Sequence, residues 1–212
     1  MPGVNDKVEF YWDPICPWCW ITSRWIEEVR SRKDIHVTWR FFSLNMINAE
    51  RNVSPDLRIL HTMGLRALRI AAAVGAQYGN DAVARMYTLM GTAYHHDQED
   101  IDEPEVAEAI LKRGGFPPDL AAAADDGDWD EAIEADMTRA AAKVGNDVGV
   151  PIIVFNGGEG PGFFGPVISP APTGEAAVAL WEALIAMGRA PGFFELKRTR
   201  EVGPLFGDRP AI

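Results

Sequence analysis

Cysteine is nearly absent from this sequence, with only Cys16 and Cys19 among its 212 residues. Two thiols so close together cannot form the disulfide framework that stabilises many small secreted proteins, so the fold must depend on a packed core. The composition allows one, because 47% of the residues are hydrophobic and 24% are charged, which excludes a disordered or collagen-like chain. Whatever chemistry the two cysteines perform, they perform it as a pair.

Positive charge and long apolar runs are also scarce. The 20 basic residues are outnumbered by 31 acidic ones, and the resulting net charge of −11 repels nucleic-acid phosphates and anionic lipids. Apolar stretches such as residues 70–76 fall far short of the roughly 20 residues that a membrane-spanning helix needs. No basic segment leads into an apolar run near the start, as a secretory signal requires. We therefore predict a cytoplasmic protein with neither nucleic acid nor a membrane as a partner.

Apolar periodicity divides the chain into three predicted segments. Residues 1–50 contain two strand patterns separated by a helical one, which predicts a β-α-β unit with a parallel crossover. Residues 51–145 are helical throughout, with Asn80 and Asp128 as predicted N-caps of two of the helices. Residues 146–212 return to two strands followed by a helix. This order predicts an α/β chain: a thioredoxin-like fold, formed by the two outer segments, with an inserted helical domain.

The residues Cys16, Pro17, Trp18 and Cys19 form a C-x-x-C motif at the predicted start of the first helix. With Cys16 at the N-cap and Pro17 at the first helical position, both sulfurs lie on one helix face at disulfide distance. The helix dipole favours a thiolate on Cys16, and strong acidification of that thiol also needs N–H bonds from Trp18 and Cys19. We therefore predict a redox-active dithiol with Cys16 as the nucleophile and with Pro17 and an exposed Trp18 at the substrate-binding surface.

Two other interpretations of the cysteine pair were weighed. A zinc site needs four ligands, but the four histidines have no spacing typical of metal ligands, so no metal site is predicted. The histidines are His36, His61, His95 and His96. Two inert thiols packed in the core remain the second alternative.

Three further features are candidates for the substrate site. In a thioredoxin-like sheet, the bond between Val150 and Pro151 faces the C-x-x-C turn, so we predict that it is cis and that the Val150 backbone pairs with an extended substrate. The alternative is an edge-strand proline without further function. Asn48, in the loop of residues 43–48, is assigned to substrate binding, against the alternative that it only shapes the loop. Residues 197–200 are predicted to form a surface helix end and are the only positive cluster available to attract an anionic thiol.

The chain resembles the cytosolic DsbA-like proteins of actinobacteria, and most closely the mycothiol-dependent nitroreductase group. The resemblance covers nearly the whole chain and is carried by residues 16–25, 149–151, 163–166 and 193–200. It implies a DsbA-like thioredoxin fold with an inserted helical domain, Cys16 as nucleophile, Cys19 as resolving thiol and Pro151 as the cis-proline. It also implies mycothiol as the reducing co-substrate, no tightly bound cofactor, and reduction of nitroaromatic compounds by some members.

The predicted function is that of a cytosolic thiol-disulfide oxidoreductase with a reductase bias. Its expected partners are a low-molecular-weight thiol and a small-molecule or protein disulfide substrate. One alternative is a kappa-type glutathione transferase or isomerase-like enzyme, which binds a thiol without redox cycling and usually has serine in place of the first cysteine. The other alternative is a non-catalytic binding module that keeps the thioredoxin fold.

Overall fold

The protein is described by a computed structural model over residues 6–212. Its centre is a four-stranded sheet with the strand order β2-β1-β3-β4. β1 (Lys7–Trp12) pairs in parallel with β2 (His36–Phe41) and antiparallel with β3 (Ile152–Phe155). β4 (Gly162–Phe164) extends the sheet by antiparallel pairing with β3. The sheet is therefore mixed, and strands from both ends of the sequence meet at its centre.

Two helices cover one side of this sheet. α1 (Pro17–Arg30) connects β1 to β2, which confirms the predicted β-α-β unit, and α7 (Gly174–Arg189) follows β4. The Trp25 and Trp181 rings meet at 5.6 Å between centroids, and the Trp25 indole nitrogen donates to the Ala177 carbonyl at 2.9 Å. Because these large rings are completely buried, they hold α1, the helix that begins with the cysteine motif, against α7.

Every element described between β2 and β3 is helical. These elements are α2 (Leu44–Ile47), α3 (Pro55–Tyr78), α4 (Asn80–His95), α5 (Pro104–Gly114), two 3-10 segments (Pro118–Asp125 and Gly127–Trp129) and α6 (Asp130–Val144). They share one apolar core with the sheet, since the Trp12 ring of β1 stacks on Tyr87 of α4 at 4.0 Å. The division into segments 1–50, 51–145 and 146–212 stays a prediction, and residues 1–5 of the first segment lie outside the described residues.

The helix α3 is unusually long, with 24 residues. By length and composition it is apolar enough to cross a membrane, although the sequence contains no long uninterrupted apolar run. In the structure, 56% of its most apolar window is buried inside the protein. The helix therefore packs as a core helix does, with its small residues allowing close approach to the cysteine loop at Gly64.

The prediction that Asn80 caps a helix is wrong. The N-cap of α4 is Gly79, at φ 83°, and Asn80 is the first residue of the helix. The Asn80 side chain instead bonds to β2: its carbonyl oxygen accepts from the Trp39 N–H and its amide donates to the Trp39 carbonyl, both at 2.8 Å. The physical reason is that β2 is an edge strand, and the amide satisfies backbone groups that no neighbouring strand can reach.

Two other local predictions are also wrong. Asp128 does not cap α6, because the chain first makes a 3-10 turn in which the Asp126 carboxylate accepts the N–H of Asp128 at 3.0 Å. The basic residues 197–200 are not a helix end, because α7 ends at Arg189 and the chain after it is irregular. In both places a turn interrupts the helix that local composition favoured.

The C-terminal tail after α7 returns to the helical part of the molecule. The Ser169 hydroxyl holds it by donating to the Gly203 carbonyl and accepting from the Leu205 N–H, at 2.8 and 2.9 Å. Further along, the Arg209 guanidinium makes two hydrogen bonds to the Asp97 carboxylate. The tail therefore connects the sheet to the end of α4.

Candidate active site

The two cysteines lie where the sequence predicts, at the start of α1. Cys16 is the N-cap residue and Pro17 is the first helical residue, so the thiols occupy the first turn. Both are free thiols. Cys16 is 5% exposed, whereas Cys19 is completely buried. Of the two cysteines, only Cys16 has any exposed surface, so it is the one better placed to meet a substrate.

The environment of Cys19 keeps its thiol protonated. Burial raises its pKa well above the ordinary value, and the hydrogen bond and charge of Cys16 raise it further. A thiol of this kind is a poor nucleophile until a neighbouring group or reaction changes its surroundings. These properties suit a resolving cysteine better than an attacking one.

The Cys16 thiol faces the loop before β3. It donates to the Val150 carbonyl at 3.6 Å, and the bond between Val150 and Pro151 is cis, as predicted. Cys16 accepts no side-chain cap bond at the start of α1, so the N–H bonds from Trp18 and Cys19 that strong acidification needs are not formed. The thiol is therefore oriented by the backbone of the opposite loop and not by its own helix.

The prediction that Trp18, between the two cysteines, is exposed is wrong. Trp18 is partly buried, and the guanidinium carbon of Arg200 lies 5.0 Å from the centroid of its ring. The tail of the chain thus folds over the motif, a contact across more than 180 residues that no local pattern indicates. The stacked cation is an ordinary cation–π arrangement.

Asp13 is a site residue that sequence reasoning missed. Its carboxylate is completely buried and accepts the backbone N–H of Ile15 at 3.1 Å and of Leu44 at 2.7 Å. Among the described residues it has no ion-pair partner, and burial raises its pKa to about 7. Its charge also contributes to the raised pKa of Cys19. The sequence signal at this position is the Asp13-Pro14 pair, at which the pattern of the first strand ends.

Two histidines at the end of α4 are a second feature that the sequence did not indicate. The Nε2 atom of His95 lies 2.9 Å from the Pro14 carbonyl, and burial lowers the pKa of His95 to about 4. The ring is therefore neutral near pH 7 and donates its proton to Pro14. His96 accepts from the Trp20 indole N–H at 3.2 Å. Through these bonds the helical part of the molecule holds the cysteine loop on both sides of the motif.

Asn48 lies at the end of α2, the short helix that replaces part of the predicted loop. Its amide donates to the Leu44 carbonyl at 2.9 Å, and its oxygen accepts from Arg51 at 3.4 Å. These bonds support the alternative that Asn48 shapes this turn, and its substrate contact stays a prediction. Leu44 itself approaches Gly149, so α2 lies beside the loop that carries Pro151.

Comparison with known proteins identifies the family. A family model described as mycothiol-dependent nitroreductase Rv2466c matches residues 15–198, which include both cysteines and Pro151. The chain belongs to this Rv2466c-like family. A curated relative, the uncharacterised Mycobacterium tuberculosis protein Rv2286c, is 32% identical over 194 residues, covering 91% of this chain and 82% of the relative.

Solved structures confirm the DsbA-like thioredoxin fold. The cytosolic disulfide reductase DsbM of Pseudomonas aeruginosa, also solved with GSH, has a TM-score of 0.56 at 16% identity and covers 85% of this chain and 99% of its own. The DsbA of the same organism has a TM-score of 0.52 at 18% identity, covering 89% and 86%. A 2-hydroxychromene-2-carboxylate isomerase has a TM-score of 0.56 at 17% identity, covering 86% and 95%. At these identities the likeness concerns the fold.

Membership of the Rv2466c-like family, together with this fold, supports thiol oxidoreductase chemistry at the cysteine pair. Over residues 6–212, no group of three or more His, Cys, Asp or Glu side chains is placed to hold a metal ion. The reactive groups that the site offers are thus the slightly exposed Cys16, the completely buried Cys19 and a buried carboxyl group.

Proposed function

We propose that the protein is a thiol-disulfide oxidoreductase that acts as a reductase through Cys16 and Cys19. The observation that carries this proposal is the asymmetry of the pair. Cys16 has contact with solvent and faces the Val150 carbonyl, whereas Cys19 is fully buried and has a raised pKa. One thiol is therefore suited to attack and the other to resolution.

The reaction proceeds in two exchanges. The Cys16 thiolate attacks one sulfur of a disulfide substrate, forming a mixed disulfide and releasing the other substrate sulfur as a thiolate. Cys19 then loses its proton and attacks the Cys16 sulfur, which releases the second substrate thiolate and leaves the disulfide between Cys16 and Cys19. Two electrons pass from the dithiol to the substrate in each cycle.

Mycothiol is the proposed reductant, on the strength of the family description. Two mycothiol molecules return the protein to the dithiol and leave as mycothiol disulfide. A nitroaromatic compound is a proposed alternative oxidant, for which the same two electrons and two protons convert a nitro group to a nitroso group and water. The proposed cell compartment is the cytoplasm, where such thiols keep proteins reduced.

The proposed substrate surface consists of five residues on the motif, at the end of α2 and on the loop that faces Cys16. They are Pro17, Trp18, Asn48, Val150 and Pro151. The first two belong to the motif and the last two to the facing loop, whose backbone is suited to pair with an extended peptide. Because these groups lie on two separate parts of the chain, a substrate between them contacts both halves of the thioredoxin-like fold.

Trapping of the mixed disulfide tests this function. Cys19→Ser is expected to accumulate an adduct of one substrate half through Cys16 after exposure to a small disulfide, and Cys16→Ser is expected to accumulate none. Intact-mass measurement detects the adduct. An adduct on Cys16→Ser, or none on Cys19→Ser, contradicts the assignment of the two thiols.

Turnover separates this proposal from the transferase or isomerase alternative. With mycothiol, glutathione or thioredoxin as the reductant and one disulfide as the substrate, a reductase consumes two thiols for each disulfide reduced. Conjugation of a thiol to an electrophile without disulfide formation, by a protein whose Cys19→Ser variant keeps full activity, favours the transferase. Absence of both reactions favours a binding module.

A further inference from the structure

The tail segment over the cysteine motif is fixed at both of its ends. Before it, the Phe193 ring packs edge-on against Phe163 of β4, with 5.8 Å between centroids. After it, the Ser169 hydroxyl binds the backbone at Gly203 and Leu205. The chain between these anchors is therefore a short bridge with a defined position, and its side chains are presented at a set place on the surface.

This bridge carries the basic run, residues 197–200, and brings its last residue to the cysteine motif. Its guanidinium at Arg200 stacks on Trp18, the residue between the two cysteines. Lys197, Arg198 and Arg200 are all exposed. Within residues 6–212 none of these three forms an ion pair with a carboxylate, including the flanking Glu195 and Glu201.

The position of these cations is unusual for a protein of this charge. The chain has a net charge of −11, yet this bridge carries three exposed cations within four residues, and one of them, Arg200, lies over the residue between the two cysteines. Stacking on an indole ring engages the flat face of a guanidinium and leaves the N–H groups at its edge free to donate. An anion bound beside Trp18, two residues after Cys16, can therefore accept these hydrogen bonds without displacing an existing ion pair.

We propose that Arg200, with Arg198 and Lys197, forms an anion subsite that selects thiol-reactive substrates bearing a carboxylate group near the reacting atom. The proposal rests on the proposed function for the role of Cys16 as the attacking thiol. It deepens that function by naming a substrate class. In this proposal, Trp18 and the Val150 loop bind the uncharged part of the substrate.

Alkylation of Cys16 by two reagents of nearly the same size tests the subsite directly. Iodoacetate carries a carboxylate and iodoacetamide is neutral, so the ratio of their rates cancels any difference in the amount of thiolate. We expect Arg198→Gln with Arg200→Gln to lower this ratio about fivefold, as removal of two nearby charges predicts, and about 0.5 M salt to have the same effect on the wild type.

Two control proteins make the result specific. Arg198→Lys with Arg200→Lys retains both charges and should keep most of the wild-type ratio. Lys112→Gln with Arg113→Gln removes the same charge from the exposed side of α5 and should leave the ratio unchanged. An equal ratio in the Arg→Gln variant and the wild type overturns the proposal, and so does an equal fall in the α5 control.

Turnover of three small disulfides distinguishes failure of the subsite from failure of the proposed function. The substrates are dithiodipropionate, bis(2-hydroxyethyl) disulfide and cystamine, which carry negative, neutral and positive charge. We expect the Arg→Gln variant to lose more rate with the first than with the others. Equal losses with all three, or none, refute the subsite and leave the reductase. No turnover of any disulfide, with the alkylation ratio still lowered, refutes the reductase and leaves the subsite.

Discussion

Replacement of Asp13 by asparagine should change how the stability of the protein depends on pH. Burial raises the pKa of this carboxyl group from 3.8 to about 7, so the folded protein holds the proton more tightly than the unfolded chain does. Between these two values the unfolded chain releases its proton first, and the free energy of unfolding falls as pH rises. At about 1.4 kcal/mol per pH unit, the group lowers stability by about 4 kcal/mol from pH 4 to pH 8.

The asparagine variant has no such proton to lose, but its free energy of unfolding is lowered by an amount that does not depend on pH. Its amide oxygen can accept only one of the two N–H groups of Ile15 and Leu44 that Asp13 binds, and its NH₂ group faces the other. A buried donor without a partner costs about 1–3 kcal/mol at any pH. Asp13→Asn is therefore expected to be less stable than the wild type near pH 4 and to equal or exceed it near pH 8.

Urea denaturation of the reduced proteins, followed by tryptophan fluorescence at a series of pH values, measures this difference. The contributions of the other carboxyl groups cancel when the free energy of unfolding of the variant is subtracted from that of the wild type. Asp119→Asn, a change of an exposed carboxylate on the 3-10 segment, is the matched control. A difference between wild type and Asp13→Asn that stays constant with pH would refute the argument, because it would mean that Asp13 ionises normally in the folded protein.

Three other changes have expected outcomes. Pro151→Thr should slow release of substrate, because Pro151 shares its peptide bond with the Val150 carbonyl that orients Cys16. Mixed disulfides should then be visible on a non-reducing gel. Unchanged turnover without trapped disulfides would indicate an edge-strand proline. Wild-type turnover with mycothiol should exceed that with glutathione by about tenfold, or about 1.4 kcal/mol, and Asn48→Ala should narrow the ratio of steady-state rates. Gly91→Ala should lower the free energy of unfolding by about 1–3 kcal/mol, since an added Cβ would overlap the buried Trp20 ring.

The sequence by itself determined the parts of the protein that depend on neighbouring residues. The Cys-Pro start of α1, the alternation in β1 and β2 and the helical period of the middle segment are all consequences of interactions within a few residues. For this reason the dithiol, its orientation on the helix and the β-α-β unit could be predicted. The cis bond at Pro151 required the fold as well, and the order of strands and helices along the chain predicted that fold.

Only the tertiary structure decided which distant groups complete the site. The sequence predicted Asn80 as a helix cap and gave Asp13 no role in the site, but in the structure Asp13 accepts the backbone N–H of Leu44 and Asn80 bonds to an edge strand. The contact between Arg200 and Trp18 joins positions near the two ends of the sequence. No local pattern encodes such contacts, because burial and charge pairing depend on which surfaces the folded chain brings together.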